Sequence, residues 1–278
     1  MGLGGHLTWT AVARELNKHN KNNGLKLFPC KQEGSRGYYV QSEIFFNNPY
    51  FLGDDDDPDK IFPLILNNPQ TNYWTQEDGK MVTHKRDKHI IETISDFYEI
   101  EDPELKCELY FTDEETQKAE EKAKKLDSEF IIIEPHSKLS YTVNRRYPFE
   151  KWQDIVNKIN KNIQVVQIGQ KGNEVFEGVI DLTGQTSFRE AAALTGAAKL
   201  FLSSEGGLVH AATAVDTKSI VILTGYQTPK MVEYPQNDYI NIATHGPCGF
   251  KVKCPKCEED AEKHNSDEVV KQIEKNLH

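Results

Sequence analysis

The chain has 278 residues, enough for two domains of ordinary size that each bury a core. Its 43 acidic residues outnumber its 33 Lys and Arg, and the net charge of −10 argues against a nucleic-acid polymer as partner, because clustered basic side chains hold phosphate backbones. No apolar run approaches the roughly 20 residues that cross a bilayer, and the N-terminus lacks the apolar core of a signal peptide, so we expect a soluble, cytoplasmic protein.

Residues 1–126 are predicted to alternate loops with helices and to form an N-terminal domain. The first helix has an amphipathic pattern, and Ile90, Ile94 and Phe97 recur at helical spacing in the second. Thr112 and Glu115 have the spacing of a capping box, which opens a charged third helix. The predicted helices cover residues 8–17, 87–98 and 112–126.

Residues 127–278 are predicted to form a C-terminal domain in which short strands and helices alternate. This alternation is typical of a parallel sheet with helices on both of its faces. The predicted strands cover residues 130–133, 163–168, 179–182, 199–202 and 219–223. The predicted helices cover residues 148–159, 187–196 and 267–277, with one more helix that carries His210.

The start of the sequence differs from an ordinary doubly wound domain, which opens with a strand that leads into its first glycine turn. Residues 1–6 are glycine-rich and follow no such strand. We therefore expect either a truncated reading frame or an N-terminal domain with a reduced sheet.

The most informative stretch is 200–214, where an apolar strand leads into Gly206 and Gly207 and then into a helix of small residues. Glycines let a backbone approach a ligand closely, and the unpaired N–H groups of a helix N-terminus attract an anion. Glu205, at the carboxyl end of the strand, is placed to accept hydrogen bonds from sugar hydroxyls. His210 lies about one turn into the helix. The pattern predicts a phosphate site; the alternative is an ordinary turn in which His210 is a packing residue.

Five cysteines, an odd number, indicate reduced thiols rather than a disulfide framework. Cys254 and Cys257 have the spacing of a zinc knuckle, and Cys248 lies close by in sequence. His245 or His264 would be the fourth ligand. Because a second C-x-x-C pair is missing, free or packed thiols are the default interpretation and a metal site is the alternative.

Five segments give the chain a resemblance to a known family. Residues 204–210, an acidic residue before a glycine turn and a histidine, resemble the nucleotide-diphosphate loop of the heptosyltransferase-like enzymes of glycosyltransferase family nine. In the same family, residues 181–187 are similar to a G-x-T-S-L element, residues 133–137 to the strand that begins the C-terminal domain, and residues 145–148 to a K-x-W-P motif. Residues 254–257, followed by Val269 and Ile273, resemble the family's C-terminal end. The resemblance covers most of the chain and is strongest in its second half. It implies the GT-B fold, an α/β architecture in which two Rossmann-like domains face a cleft.

The chain departs from the family pattern at three positions. The family's N-terminal loop reads G-D-x-L, with the Asp as presumed base, whereas this chain has Gly5 at that position, between Gly4 and His6. Glu205 stands where the family commonly has Asp, and Arg145 replaces a phosphate-binding Lys. The last two changes are chemically mild, since Arg grips a diphosphate bidentately.

The resemblance implies a metal-independent, inverting glycosyltransferase that needs no cofactor. It would move a heptose-like sugar from a nucleoside diphosphate, of which ADP-heptose is the family's best-known example, to a glycan or lipid-glycan acceptor. The resemblance therefore also implies a role in lipopolysaccharide biosynthesis. With a lipid-glycan acceptor, the enzyme would be able to associate peripherally with the inner face of the membrane.

Roles for individual residues follow from these matches. Arg145 and the backbone amides of Gly206, Gly207 and Leu208 would stabilise charge on the leaving diphosphate, and His210 would add a hydrogen bond. His6 is the candidate base, because imidazole titrates near neutral pH and adjoins the position of the missing Asp. The further candidates are Ser137, Lys138, Gly169 and Glu174 for the nucleotide, and Gly4, Gly5 and His84 for the acceptor side.

Three other functions stay open at this point. The acidic run 54–57 resembles the manganese-binding Asp-x-Asp of the other large glycosyltransferase class, although such a run beside Pro58 is usually a solvated turn. Nucleotide-sugar 2-epimerases share the GT-B architecture. A nucleotide-sugar-binding pseudoenzyme would suit the missing Asp and the missing opening strand.

Overall fold

Helices and strands occur throughout the computed structural model, which describes residues 2–71, 74–77, 80–83, 88–136 and 141–277. The helices are α1 (Leu3–Lys18), α2 (Ile90–Phe97), α3 (Asp113–Ala123), α4 (Phe149–Ile159), α5 (Phe188–Thr195), α6 (Gly207–Ala214), α7 (Pro255–Lys263) and α8 (Asp267–Leu277). The strands are β1 (Lys26–Glu33), β2 (Arg36–Tyr39), β3 (Ile61–Ile65), β4 (Trp74–Glu77), β5 (Lys80–Thr83), β6 (Phe130–Glu134), β7 (Gln164–Gln167), β8 (Ile180–Asp181), β9 (Leu200–Ser204), β10 (Ser219–Leu223) and β11 (Asp238–Asn241). None of the described helices is both long and apolar enough to span a bilayer.

The larger sheet is built from the second half of the chain and has the order β11-β10-β9-β6-β7-β8. All its neighbouring strands are parallel. The central strands β9 and β10 are buried along their whole length, because their apolar side chains meet helices on both faces. The predicted parallel sheet is confirmed, and β10 and α8 have the predicted bounds.

The sequence analysis missed β11 and α7. Strand β11 is a four-residue edge strand with half-exposed, partly polar residues, so it lacks the apolar run of a central strand. Helix α7 is highly charged and buries only Cys257, Asp260 and Ala261. Neither element has the hydrophobic periodicity on which the predictions rested.

The sequence analysis located only loops and helices within residues 1–126, but this half also contains a sheet of order β2-β1-β3 and an antiparallel β4-β5 pair. Strand β1 is parallel to β3 and antiparallel to β2. Pro29 interrupts the apolar run of β1, and every residue of β2 is exposed. These strands therefore lack an alternating apolar pattern.

Helix α1 begins at Leu3 rather than at Thr8. Glycines at positions 4 and 5 have low helix propensity, but packing overrides it, because Leu7 is fully buried and Gly4 lies against α6. The second predicted helix begins at Ile90, with His89 as its N-cap. Helix α3 has the predicted capping box and ends at Ala123, earlier than predicted.

Two apolar clusters cover the two faces of the larger sheet. One cluster joins Leu7 and Val12 of α1 to Phe201 of β9 and Val209 of α6. The other packs the apolar faces of α4 and α8 against the opposite side of the sheet. Since α1 and α6 share a cluster, the N-terminus of α1 is held beside the edge of the sheet at which α6 begins.

Candidate functional site

The candidate site lies at the carboxyl edge of the larger sheet, where open α/β sheets bind ligands. Strand β6 ends at Glu134 and the neighbouring β9 ends at Ser204, one residue before Glu205. Gln227 lies in the loop after β10. Because the strands are parallel, their carboxyl ends lie at the same edge of the sheet. These three polar side chains are therefore placed along that edge.

The bend between β9 and α6 touches the first turn of α1. A methyl group built on Gly4 would lie 2.8 Å from the Gly207 Cα and 3.0 Å from Cδ2 of His210. A methyl group on Gly207 would lie 3.4 Å from the backbone nitrogen of Gly4 and 3.4 Å from the Phe188 ring. Gly206 caps α6 in an extended conformation that any residue adopts. Close approach of the two helices, rather than an unusual dihedral angle, is therefore what requires glycine at position 4, whereas a methyl group at position 207 would make ordinary contacts.

Arg145 is held by several partners at this edge. Its Nε forms an ion pair with Glu205 Oε2, and both side chains are largely buried. Its Nη2 donates a hydrogen bond to Gln227 Oε1 at 3.2 Å. The guanidinium lies 4.7 Å from the ring centre of Tyr226 and 5.3 Å from that of Tyr141. Burial raises the pKa of Glu205, and the charge of Arg145 opposes that rise. The two predicted residues are thus brought together as an aromatic-flanked charge pair.

Glu134 is a candidate that the sequence analysis missed. Burial of its carboxyl group raises its pKa to about 8, while a hydrogen bond from Ser203 opposes the shift and the charge of Glu205 adds to it. The Ser203 hydroxyl lies 3.3 Å from Glu134 Oε2, and a methyl group on Gly206 would lie 3.5 Å from the same oxygen. At neutral pH this carboxyl group is protonated and can donate a hydrogen bond. Its position directly after the apolar run 130–133 is the sequence pattern from which this candidate could have been predicted.

His6 lies in the first turn of α1 and is 8% exposed. Its Nδ1 is 2.8 Å from the Ser42 hydroxyl, and its ring centre is 5.3 Å from that of Phe45. Burial lowers its pKa to about 4, with smaller effects from the N-terminal charge and Lys31. The imidazole is therefore neutral at pH 7 and is able to accept a proton, although it is a weak base.

His210 is also buried, and its Nδ1 lies 2.5 Å from the Tyr234 hydroxyl. Burial, with a smaller effect from Arg145, lowers its pKa to about 4. Tyr234 also contacts the Cys107 thiol, at 3.3 Å. His210 is thus a neutral member of a buried polar chain beside α1, and its predicted contact with a diphosphate stays a prediction.

The remaining predicted residues have varied surroundings. Gly169 follows β7 with a φ of +155°, and a methyl group there would lie 2.6 Å from Asn173 Oδ1. Glu174 contributes its backbone carbonyl, which accepts hydrogen bonds from His136 and Gln167, while its side chain is exposed. The Gly5 carbonyl accepts a hydrogen bond from Thr8. Leu208 is buried in the first turn of α6.

Three of the predicted site residues lie outside the part of the chain that the structure describes. They are His84, Ser137 and Lys138.

The two candidate metal sites differ in their geometry. The acids at 54–57 lie in an exposed turn before β3, where Asp56 accepts a hydrogen bond from the Gly53 amide. The cysteines, by contrast, are assembled: Cys248, Cys254 and Cys257 are buried together, with His245 beside them. His264, the alternative fourth ligand, instead contacts Tyr147 and Glu268.

Glu134 should make stability depend on pH. Its folded-state pKa of about 8 lies above the ordinary value of 4.5. Its contribution to the free energy of unfolding is therefore fully present below pH 4.5 and is lost as the pH rises to about 8.

Glu134→Gln has no group that titrates at this position, so its stability should not fall over this pH range. We expect it to be more stable than the wild type at pH 8 by about 2–4 kcal/mol. Urea unfolding between pH 5 and pH 9 measures the difference. Glu177→Gln, at an exposed position, is the control, and a Glu134→Gln profile that parallels the wild type would refute the assignment.

A model of the family described as glycosyltransferase family 9 (heptosyltransferase) matches residues 78–261. A comparison with curated protein sequences gives no match. Among solved structures, the ADP-heptose LPS heptosyltransferase II of E. coli has a TM-score of 0.53 at 15% identity, covering 68% of this chain and 62% of that one. A family 9 glycosyltransferase of Veillonella parvula has a TM-score of 0.53 at 15% identity, covering 69% and 61%.

The iron-containing dodecameric heptosyltransferase TibC of enterotoxigenic E. coli, solved with ADP-D-β-D-heptose, has a TM-score of 0.55 at 14% identity. That match covers 79% of this chain and 64% of TibC. The chain therefore spans less than two thirds of each of these three structures. At such identities the likeness establishes the fold, and it confirms the predicted α/β architecture of the GT-B type.

Proposed function

Because the chain belongs to glycosyltransferase family 9, we propose that it transfers a sugar from a nucleoside diphosphate to an acceptor hydroxyl. The donor is of the ADP-heptose type, and the acceptor is a glycan or lipid-glycan. Two similar structures support this choice of donor, since one is named an ADP-heptose LPS heptosyltransferase and the other was solved with ADP-D-β-D-heptose.

The observation that carries the proposal is the pairing of Arg145 with Glu205 beside the first turn of α6. The first N–H groups of a helix have no acceptor within the helix, so those of Gly207 and Leu208 can bind an anion. Arg145 has five N–H donors, of which Nε pairs with Glu205 and one on Nη2 bonds to Gln227, so three N–H groups on the terminal nitrogens are left for a ligand. Its terminal nitrogens can therefore grip a diphosphate while Glu205 accepts hydrogen bonds from a sugar or ribose hydroxyl.

The leaving diphosphate gains negative charge as the glycosidic bond breaks, and this charge needs stabilisation. Here the guanidinium of Arg145 and the positive end of α6 would supply it, which is the basis for proposing a metal-independent reaction. Flanking by Tyr141 and Tyr226 keeps the guanidinium in place and limits the access of water. Direct attack by the acceptor hydroxyl on the anomeric carbon would invert its configuration.

We propose His6 as the base that accepts the proton of the acceptor hydroxyl. It is neutral at pH 7, it stands next to the family's Asp position at Gly5, and it lies in the helix turn that touches α6. The Ser42 hydroxyl holds its Nδ1, which leaves Nε2 for the acceptor.

His6→Ala should lower turnover by about 10- to 100-fold with little change in the KM for the donor. General bases typically contribute about 10²–10⁴-fold, and a pKa near 4 places His6 at the weaker end of that range. Steady-state kinetics with varied donor separates the two constants. His19→Ala, at the other end of α1, is the control. If turnover of His6→Ala equals that of the control, His6 is not the base.

For the cell, we propose a cytoplasmic enzyme of lipopolysaccharide biosynthesis that meets a lipid-linked acceptor at the inner face of the membrane. The aromatic residues Tyr38 and Tyr39 support a glycan or lipid-glycan acceptor, since they are 48% and 55% exposed on the edge strand β2. Aromatic side chains of this kind have an apolar body and a polar tip suited to such an interface.

The test of the proposed function is an ADP-release assay with ADP-heptose and a lipid-glycan acceptor. We expect turnover that needs both substrates and is unchanged by added Mg²⁺ or Mn²⁺. Sugar isomerisation without an acceptor would instead identify an epimerase, and donor binding without turnover would identify a pseudoenzyme. Stimulation by Mn²⁺ would contradict metal independence.

A further inference from the structure

We propose that His245, Cys248, Cys254 and Cys257 form a tetrahedral site for one divalent transition-metal ion, Zn²⁺ or Fe²⁺, that braces the loop carrying Arg145. This site lies apart from the proposed sugar-transfer chemistry and would fix structure rather than react.

The spacing of the ligand atoms fits such an ion. The Cys257 and Cys248 sulfurs are 3.5 Å apart, and the Cys257 sulfur is 3.5 Å from Nε2 of His245. The ligand atoms of His245, Cys254 and Cys257 all lie within 4.8 Å of one another. With metal–sulfur and metal–nitrogen bonds of about 2.3 and 2.0 Å, tetrahedral ligands lie about 3.5–3.8 Å apart. Three of the ligands are therefore already gathered, and a shift of the Cys248 side chain toward them completes the coordination.

Cys248 is the proposed fourth ligand because its sulfur lies 3.5 Å from that of Cys257 and its side chain is buried in the same cluster. Three thiolates and one imidazole are the donor set of structural zinc sites and also suit ferrous iron. The sulfur-to-sulfur distance of 3.5 Å is too long for a disulfide bond.

His245 is already oriented as a ligand. Its Nδ1 lies 2.9 Å from Asp260 Oδ2, so a proton on Nδ1 leaves the lone pair of Nε2 facing Cys257. Asp260 is itself fixed by hydrogen bonds from the Thr244 amide and hydroxyl, at 2.8 and 2.7 Å. A carboxylate–histidine arrangement of this kind commonly orients metal-binding histidines.

Asn144 connects this cluster to the candidate active site. Its Oδ1 accepts a hydrogen bond from the Cys254 amide, and its Nδ2 donates to the carbonyls of Phe250 and Val252. The next residue is Arg145, whose guanidinium lies against Tyr226, a member of the same buried cluster as the three cysteines. An ion bound by these ligands would fix the conformation of residues 245–257. Through Asn144 and Tyr226 it would therefore also fix the position of Arg145.

The first test is elemental analysis of the purified full chain by mass spectrometry. We expect about one zinc or iron per chain in the wild type, and the element found decides between the two ions. Cys257→Ser should lose most of this metal, while Cys30→Ser, a buried cysteine outside the cluster, should retain it. Metal far below one equivalent in the wild type, or equal metal in both variants, would overturn the proposal.

Because Cys257 is a buried residue whose replacement also changes packing, a milder variant gives a second test. Asp260→Asn should weaken metal affinity about 10- to 100-fold while the protein stays folded by circular dichroism. Titration of the metal-free chain with Co²⁺ measures this affinity through the thiolate-to-cobalt absorption band. An unchanged affinity would refute the role of Asp260, and the absence of a thiolate band in the wild type would refute the site. Neither measurement depends on sugar transfer, so the metal site and the proposed function can fail separately.

Discussion

Arg145→Ala is expected to lower turnover about 10²–10³-fold, because it removes the main positive charge facing the leaving diphosphate. It should also lower the free energy of unfolding by about 3–5 kcal/mol, since Glu205 then stays buried without its partner. Glu205 can escape part of this penalty by binding a proton, so the loss of stability should be smaller at pH 5 than at pH 8. Steady-state kinetics and urea unfolding at the two pH values measure these effects.

Two variants control this result. Arg146 is exposed and adjacent in sequence, so Arg146→Ala should leave turnover and stability close to those of the wild type. Arg145→Lys keeps the charge but loses the planar fork of the guanidinium, so it should regain part of the stability and only part of the turnover. If Arg145→Ala behaves like Arg146→Ala, Arg145 neither holds Glu205 nor binds the diphosphate.

Gly4→Ala is expected to lower the free energy of unfolding by about 1–3 kcal/mol and to reduce turnover strongly. The added methyl group would meet the backbone of Gly207 at 2.8 Å, and a backbone cannot rotate away as a flexible side chain does. By helix propensity alone, the same change would stabilise α1 by about 0.5–1 kcal/mol. A net loss therefore isolates the contact between α1 and α6.

Gly2→Ala is the matched control, because a methyl group at Gly2, the N-cap of the same helix, meets nothing within 4 Å. Urea unfolding gives both free energies, and the same preparations give the turnover. Equal stability of the two variants would mean that α1 does not press against α6 in solution, and the location of His6 beside the site would lose its support.

The strands of the second half could be predicted because each is a short apolar run bounded by turn residues. Likewise, the capping box at Thr112 was visible as a local pattern, and it is present. Strands β1, β2 and β11 could not be found in this way. Their pairing depends on partners distant in sequence rather than on their own periodicity.

The candidate site shows the same division. The glycine bend and its acid were found from sequence, because a strand end followed by glycines is a local feature. The raised pKa of Glu134, and the lowered pKa values of His6 and His210, come from burial by packed elements. The choice of His245 over His264 beside the cysteines is likewise set by how the loop after β11 folds back. Neither the pKa shifts caused by burial nor the placement of His245 beside the cysteines can be predicted from the spacing of residues in the sequence.

The central claim is that Glu205 and Arg145 bind a nucleoside diphosphate at the start of α6. Isothermal titration calorimetry of the wild type and Glu205→Ala with ADP-heptose, ADP and other nucleotide sugars tests it most directly, with Glu177→Ala as a control at an exposed site. We expect one class of nucleotide to bind the wild type and the control, and to lose most of its affinity for folded Glu205→Ala. At 100 times its Kd, the same ligand should stabilise the wild type by about 2.7 kcal/mol. No binding by any nucleotide sugar, or equal affinity in Glu205→Ala, would contradict the claim.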